Sequence, residues 1–314
     1  MAASVRQRIA GLDLGTNTFL CLIADFENGL LKEVIRDEVR VVRLGQGVHA
    51  SRELHPDALA RAEETFREFH GYIREAGCDR VLAVATSAAR DVRNGQLLVE
   101  LGQRYEIPIE IISGEKEAEL TFAGALDPAW QGLTAVIDVG GGSTEIIFGD
   151  QSGVKHRFSA DVGSVRLTEM FVTEQPIAKT QLEAMRMHVR EVICKAVRAG
   201  EEALGGKPQI QQVVAVAGTP TTLAAVDSGR LFQADVIHGY SFTESRLEEW
   251  IQRLADLSVA ERQALAGMEP KRADVIVAGA ICVSESLKAL EKTAFTVSIR
   301  GLRYGVARWC ATRE

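Results

Sequence analysis

The sequence lacks the cysteine patterns of a metal or disulfide protein. The 314-residue chain contains five cysteines that are far apart, with no CxxC pair. Most of them lie in apolar segments, where a cysteine behaves as a small buried hydrophobic residue. The pattern therefore predicts reduced thiols and no zinc site.

Long hydrophobic runs are also missing. No segment has the ~18–20 uninterrupted apolar residues that a membrane span needs. The first apolar run, residues 9–25, is interrupted by Asp13, Thr16, Asn17 and Thr18. Neither a signal peptide nor a membrane partner is expected, and the predicted location is the cytoplasm.

The chain has little concentrated positive charge. The formal net charge is −7, and the sequence shows no run of four or more Lys or Arg residues. A protein that binds nucleic acid regardless of sequence usually has a basic patch, so no nucleic-acid partner is predicted. The sequence also lacks a GxxxxGK[ST] motif and any evident Ser-His-Asp set.

What the chain does contain is a repeat. Its length suits two domains of roughly 150 residues. The segment "IAGLDLGTNTFLCLIADFENG" matches "TAVIDVGGGSTEIIFGDQSG", with Asp13 aligned to Asp138 and Gly15 to Gly140. Both segments have the pattern of a β-hairpin, and residues 153–162 could add a third strand to the second one.

A second match extends the repeat. "VLAVATSAARDV" resembles "VVAVAGTPTTLAAV", and a long helical pattern precedes each, over residues 55–76 and 180–203. Both halves are therefore β-β-β-α-β-α. This predicts an α/β protein with two similar domains facing across a cleft. The predicted domains are residues 1–127 with a C-terminal helix at 299–314, and residues 128–298.

The triple glycine suggests phosphate chemistry. A glycine-rich turn lets backbone N–H groups converge on an anion. Asp138 and Glu145 flank the turn and would repel a bare phosphate, so a divalent cation, Mg²⁺ by preference, is predicted between them. A plain hairpin turn is the simpler interpretation of three glycines. Recurrence in "DLGTNT", "DVGGGST" and "AGTPTT" favours phosphate loops. The candidate phosphate-binding residues are Asn17, Thr18, Gly140, Gly141, Gly142, Ser143, Gly218 and Thr219.

Two further turns carry charged residues. A strand over residues 109–112 ends at Ser113, a predicted helix N-cap followed by Glu115 and Glu119, whose acids suit a helix N-terminus. Arg90 follows another strand-to-helix turn. An arginine there is as often a solvated surface residue as a ligand, but at a phosphate cleft its guanidinium could bind two oxygens.

These motifs carry a family resemblance. "DLGTNT", "ATSAARDVRN", "ISGEKEAEL", "VIDVGGGSTE", "VGSVRLTEMF", "AGTPTTLAA" and "IRGLRYGV" occur in this order. Together they closely resemble the exopolyphosphatase/guanosine pentaphosphate phosphohydrolase family, within the actin–Hsp70–sugar kinase superfamily. The resemblance covers essentially the whole chain. It implies a ribonuclease H-like sheet in each half, an active site between the domains, and a homodimer.

The resemblance also implies roles for particular residues. Glu117 is the expected catalytic glutamate, and Asp138 and Glu145 are the expected ligands of Mg²⁺ or another divalent ion such as Mn²⁺. Arg90 and Arg272 are expected to bind phosphate. Leu20 stands where the family commonly has a basic residue. The extra C-terminal domain of longer members is not expected, since the chain stops at residue 314.

The expected reaction is hydrolysis of a terminal phosphoanhydride, in which positioning and charge neutralisation dominate. The expected substrate is polyphosphate of short to medium length, or a guanosine polyphosphate such as pppGpp. Two alternatives stay open: a kinase of the superfamily that uses ATP on a small acceptor, and a non-catalytic (p)ppGpp-binding regulator.

Overall fold

The computed structural model describes residues 6–127 and 130–313, apart from the side chains of residues 49 and 50. The chain divides into two compact units. The first unit contains residues up to Gly124 and the C-terminal segment from Gly301, and the second unit is Ala125–Arg300. The sequence had set the boundaries at 127/128 and 298/299. Residue 128 lies outside the described residues.

The first unit is a mixed sheet covered by helices. Its strands are β1 (Arg6–Leu14), β2 (Thr18–Glu27), β3 (Leu30–Val41), β4 (Arg80–Ala85) and β5 (Ile109–Ile111). Its helices are α1 (Val48–Ser51), α2 (Pro56–Ala76), α3 (Ser87–Arg90), α4 (Gln96–Arg104), α5 (Gly114–Ala125) and, at the end of the chain, α13 (Leu302–Thr312). The strand order is β3-β2-β1-β4-β5. The first three strands are antiparallel, while β4 and β5 run parallel to β1.

The second unit repeats this order with one addition. Its strands are β6 (Thr134–Val139), β7 (Thr144–Asp150), β8 (Gly153–Ala160), β9 (Gln212–Val216), β10 (Ser241–Thr243) and β11 (Ala294–Val297), arranged β10-β11-β9-β6-β7-β8. Its helices are α6 (Ser164–Phe171), α7 (Lys179–Ala203), α8 (Gly218–Ser228), α9 (Ala234–Ile237), α10 (Glu244–Ala255), α11 (Val259–Gln263), the 3-10 helix Pro270–Arg272 and α12 (Ile276–Ala289). The short antiparallel edge strand β10 has no counterpart in the first unit. The predicted pair of ribonuclease H-like folds is confirmed.

Strand periodicity explains why helices cover both faces of the first sheet. Successive side chains on a strand point to opposite faces. In β1, Ala10, Leu12 and Leu14 join the hydrophobic core that contains α2 and α4 residues. Ile9 points the other way, into the core that contains α13 residues. A central strand must be apolar where it is buried on both faces, as β1 is from Ile9 to Leu14 apart from Asp13.

Local sequence signals determine where the long helix α2 begins and ends. Pro56 occupies the first turn of α2, where its missing N–H is no loss, and the Nδ1 of His55 accepts a hydrogen bond from the Asp57 amide at 3.2 Å. Gly77 ends the helix in the left-handed region at φ 65°. The predicted helix over residues 55–76 thus differs from α2 by one residue at its start.

The C-terminal helix packs closely on β1. A Cβ atom on Gly11 would lie 2.6 Å from the backbone nitrogen of Ala307. Only glycine permits this approach, because any larger residue at position 11 would push α13 off the sheet. The last helix is therefore an integral layer of the first unit.

Two sequence-level expectations concern cysteines and membranes. All five cysteines are free thiols, and Cys21, Cys282 and Cys310 are buried. Among the helices of the described residues, none combines the length and apolar character that crossing a bilayer requires.

Candidate functional site

The first predicted phosphate loop is a tight turn between β1 and β2. The amide of Gly15 donates to the carbonyl of Thr18 at 3.0 Å. The carbonyl of Asn17 accepts hydrogen bonds from the amides of Val42 and Arg43, at 3.0 and 2.9 Å. Asn17 is also buried, and the two hydrogen bonds tie this turn to the residues that follow β3. A rigid loop of this kind suits a binding element, since little ordering is needed when a ligand arrives.

Two further loops of the first unit bring Arg90 and Glu117 into contact. Strands β4 and β5 are parallel neighbours, so the turns that follow them leave from the same edge of the sheet. Arg90 ends α3, after β4, and Glu117 lies in the first turn of α5, after β5. The Arg90 Nη1 atom lies 3.3 Å from the Glu117 Oε2 atom and donates to the carbonyl of Ile112 at 3.1 Å. The structure thus pairs the predicted catalytic acid with a predicted phosphate ligand.

The cap of α5 fixes Glu117. The Ser113 Oγ atom accepts a hydrogen bond from the amide of Lys116 at 3.3 Å, as the sequence predicted for an N-cap. The Ser113 carbonyl accepts from the amide of Glu117 at 3.0 Å. Only 15% of the Glu117 side chain is exposed. A carboxylate on a capped helix turn beside a guanidinium is well oriented to act on a bound water.

Sequence reasoning did not assign a role to Asp13. Burial raises the pKa of its carboxyl to about 7, against the opposing attraction of Arg303. The Arg303 guanidinium itself donates to both carboxylate oxygens of Asp37, at 2.7 and 2.8 Å. The alignment of Asp13 with Asp138 in the repeat was the signal that could have marked this residue.

The sequence did not predict a contact between two hydroxyl groups of the first unit. The Oγ1 atom of Thr16 lies 3.0 Å from the Oγ atom of Ser87, which links the first glycine turn to the start of α3. Both residues follow apolar strands in small, hydroxyl-rich turns, and that pattern is visible in the sequence. The contact ties two candidate loops of the first unit together.

In the second unit, Asp138 and Glu145 face each other across the hairpin. They are direct partners in the antiparallel pairing of β6 and β7. Side chains of directly opposed residues lie on the same face of a sheet, with Cβ atoms about 4.5–5.5 Å apart. Glu145 is 7% exposed, and its Oε1 atom accepts a hydrogen bond from Ser159 Oγ at 2.7 Å. Ser159 was not predicted, although it lies opposite Glu145 in the β7–β8 pairing.

This donor set fits Mg²⁺ better than a transition metal. Among the described residues, no group of three or more His, Cys, Asp or Glu side chains could hold a metal ion. Mg²⁺ is usually bound by one or two carboxylates, with waters and substrate phosphates completing its coordination. Asp138 and Glu145 provide such a pair, and Ser159 would orient the Glu145 carboxylate.

The triple glycine is anchored through its carbonyls. The amides of Ser164 and Val165 donate to the carbonyls of Gly140 and Gly141, both at 2.9 Å, and Arg166 Nε donates to the carbonyl of Gly142 at 2.8 Å. The carbonyls are therefore used within the unit. The amide of Gly140 also donates within the turn, to the carbonyl of Ser143 at 2.9 Å, so the amides of Gly141, Gly142 and Ser143 are the ones suited to an anion.

The second glycine loop lies against Arg272. Gly218 begins α8, and a Cβ atom at this position would overlap the Arg272 guanidinium. Burial lowers the pKa of Arg272, and Glu269 opposes that shift. Thr219 is buried, and its Oγ1 atom lies so close to Gly279 of α12 that a Cβ there would overlap it. The amide of Thr219 is then the group of this residue suited to a phosphate.

The two strand orders assign the chain to a class. Two ribonuclease H-like units in one chain are the architecture of the actin–Hsp70–sugar kinase superfamily. Residues 22–311 match the model of the Ppx/GppA phosphatase family. The chain belongs to this family, as its motifs predicted, and is therefore a hydrolase of the phosphatase class.

Individual relatives are similar to this chain over nearly its whole length. A protein named exopolyphosphatase 2 from Mycobacterium tuberculosis is 37% identical over 316 residues, covering 96% of this chain and 97% of that protein. A solved exopolyphosphatase from Cytophaga hutchinsonii is 29% identical with a TM-score of 0.84, covering 96% of each chain. The Aquifex aeolicus member of the Ppx/GppA family is 28% identical with a TM-score of 0.80, covering 97% of each chain.

Proposed function

We propose that the protein hydrolyses a terminal phosphoanhydride in a Mg²⁺-dependent reaction. The products would be orthophosphate and a shortened polyphosphate, or ppGpp where pppGpp is the substrate. The observation that carries the proposal is the contact of Arg90 with Glu117, at 3.3 Å. It places a carboxylate able to take a proton beside a guanidinium able to bind the phosphoryl group that is attacked.

In the proposed reaction, a water oxygen attacks the terminal phosphorus while the bond to the bridging oxygen breaks. Glu117 accepts the proton of the water, and the bridging oxygen leaves with the shortened chain. The transferred phosphoryl group is nearly metaphosphate-like in the transition state, so positioning and charge neutralisation dominate catalysis. Arg90 would provide both functions at the non-bridging oxygens.

The second unit would bind phosphate oxygens and the metal. The proposed donors to phosphate are Arg272, the amides of Gly218 and Thr219, and the amides of the Gly140–Ser143 loop other than that of Gly140, which donates to the Ser143 carbonyl. Asp138 and Glu145 would hold Mg²⁺, which supplies neutralisation of the charge on the phosphates. In the first unit, Asn17 and Thr18 would bind phosphate through the turn that contains them.

We favour inorganic polyphosphate of short to medium length as the substrate. Several relatives carry the name exopolyphosphatase, including the Mycobacterium tuberculosis protein at 37% identity. A net charge of −7 argues against a long basic track for a polyanion. Leu20, which lies opposite Asp13 in the β1–β2 pairing, adds no positive charge. The same reaction on pppGpp is the finer alternative.

Phosphate release tests the proposal. Wild type and Glu117→Gln are compared with Mg²⁺ on tripolyphosphate, on short- and long-chain polyphosphate, and on pppGpp. We expect Glu117→Gln to lose about 10²–10⁴-fold in turnover, as general-base removal does, with Mg²⁺ binding retained. The matched control is Glu119→Gln, two residues along the same helix, whose exposed side chain pairs with Lys116.

Three outcomes contradict the proposal. Near-wild-type turnover in Glu117→Gln removes the assigned base. Transfer of phosphate from ATP to a small acceptor points to a kinase. Tight binding of pppGpp without turnover points to a regulator.

The cytoplasmic location and the homodimer stay predictions. Light scattering of the purified protein tests the homodimer.

A further inference from the structure

A fully buried arginine lies close to the proposed phosphate site without belonging to it. Arg262, in α11, has 0% exposure. Burial lowers the pKa of its guanidinium to about 10, and Asp274 opposes the shift, so the side chain stays charged at neutral pH. A buried charge is costly unless it is well compensated. Its presence in the interior of the second unit therefore needs a reason.

The guanidinium is held mainly by backbone carbonyls. Arg262 Nε donates to the carbonyl of Leu254 at 2.6 Å, and Nη1 donates to the carbonyl of Ala273 at 3.1 Å. Its Nη2 atom has no hydrogen-bond partner within the described part of the chain. Arg262 thus joins the end of α10 to the residue that directly follows Arg272.

The neighbouring residue secures the other end of the same turn. Gln263 Nε2 donates to the carbonyl of Pro270 at 3.1 Å, so the 3-10 helix Pro270–Arg272 is held at its first residue and just after its last. Helix α11 itself is fixed by a capping box between Ser258 and Glu261. Two consecutive residues of a capped helix therefore hold the backbone on both sides of Arg272.

We propose that Arg262 is a positioning residue that holds Arg272 over the Gly218 loop for phosphate binding. The proposal rests on the phosphate-binding role proposed above for Arg272. The Arg272 guanidinium lies against Gly218 so closely that a Cβ atom has no room. Arginine side chains lose about 2 kcal/mol of rotamer freedom when they are fixed. A backbone held in place before the ligand arrives reduces the ordering that binding requires.

A purely structural role for Arg262 predicts a different effect of its replacement on phosphate binding. Replacing Arg262 by an apolar side chain leaves the carbonyls of Leu254 and Ala273 without their donor, so some loss of stability is expected. A loss of stability does not by itself lower the affinity of the folded protein for an anion. If Arg262 acts through Arg272, its replacement weakens anion binding beyond any loss of stability.

A double-mutant cycle tests the coupling between the two arginines. Arg262→Met, Arg272→Ala and the double variant are made in the Glu117→Gln background, where turnover is expected to be slow. Calorimetry gives the Kd for tripolyphosphate with Mg²⁺, and urea unfolding gives stability. The matched control is Arg253→Met, which removes an exposed arginine of α10. Arg262→Lys tests rescue by the conservative residue.

We expect Arg262→Met to weaken tripolyphosphate binding about tenfold, the size of one charge-assisted hydrogen bond. We expect Arg262→Lys to recover part of the loss, because one ammonium replaces a fork that reaches two carbonyls. In the Arg272→Ala background, Arg262→Met should cause no further loss, because the group it positions is gone. The Arg253→Met control should bind as the parent does.

Several results overturn the inference. One is an unchanged Kd in Arg262→Met, and another is an effect that adds fully to that of Arg272→Ala. If Arg262→Met does not fold, full parental affinity in a folded Arg262→Lys would also refute it. Absence of tripolyphosphate binding in the parent removes its basis. Binding by the parent without phosphate release by wild type refutes the hydrolase but leaves the coupling measurable.

Discussion

Replacement of Asp13 by asparagine should change how stability depends on pH. Asp13 lies within the central strand of the first sheet, opposite Leu20 in the β1–β2 pairing. Burial raises the pKa of its carboxyl from 3.8 to about 7, with Arg303 opposing the shift. The folded protein therefore keeps a proton on Asp13 at pH values where the unfolded chain has lost it. Stability from this group is fully present below about pH 4 and is lost as the pH rises to 7.

The size of the effect follows from the shift. Each pKa unit corresponds to about 1.4 kcal/mol, so the change from 3.8 to about 7 gives an upper limit of about 4 kcal/mol. Relative to Asp13→Asn, the wild-type free energy of unfolding should fall by about 1.4 kcal/mol per pH unit from pH 5 to 7 and then level off. Asparagine has a similar shape and no titration in this range.

Urea unfolding followed by circular dichroism from pH 5 to pH 9 measures this difference. Subtracting the free energies of unfolding of the two proteins cancels the contribution of carboxylates that titrate in the opposite sense. One of these is Glu68, whose pKa is lowered to about 2 by Arg40. Metal-free buffer keeps ion binding out of the comparison. A difference that is constant from pH 5 to pH 9, or one that grows in favour of wild type as the pH rises, refutes the reasoning.

Two further predictions concern the second unit. Gly218→Ala places a methyl group on the Arg272 guanidinium, so tripolyphosphate binding should weaken at least about tenfold; Gly71→Ala, on an open face of α2, is the control that should bind normally. Equal affinity in both variants would contradict the assigned loop. Ser159→Ala removes the hydrogen bond to Glu145, so calorimetry should show Mg²⁺ binding about tenfold weaker; unchanged Mg²⁺ affinity would exclude a role for Ser159 in orienting the ligand.

Elements with local signals were predictable from the sequence. The predicted helix over residues 180–203 differs from α7 (Lys179–Ala203) by one residue. Repeated apolar runs joined by Gly/Ser/Thr turns predicted the hairpins of both halves, because the strand and the turn each leave a local signal in the residues. Strand β10 was missed, because a three-residue edge strand has too few residues to show a period.

The places of the candidate-site residues in the fold were predictable where those residues occur in turns at strand ends. Arg90 and Glu117, which the sequence nominated separately, are in contact. Arg262 and Asp13 were not found, because their importance comes from burial and from partners distant in the sequence. The Arg262 guanidinium donates a hydrogen bond to the carbonyl of Ala273, and the charge of Arg303 opposes the rise in the pKa of Asp13. No periodicity or spacing reports such a contact.

The return of α13 to β1 has a consequence for synthesis on the ribosome. Ile9, Leu22 and Ala24 belong to a core that includes Leu302, Tyr304 and Val306 from the last helix. These early residues leave the ribosome before residues 125–300 have been made, a delay of roughly 10–40 s at ~5–20 residues per second. Throughout that interval one face of the first sheet lacks the part of its cover that α13 provides. The nascent chain is then more exposed to aggregation until the residues of α13 emerge.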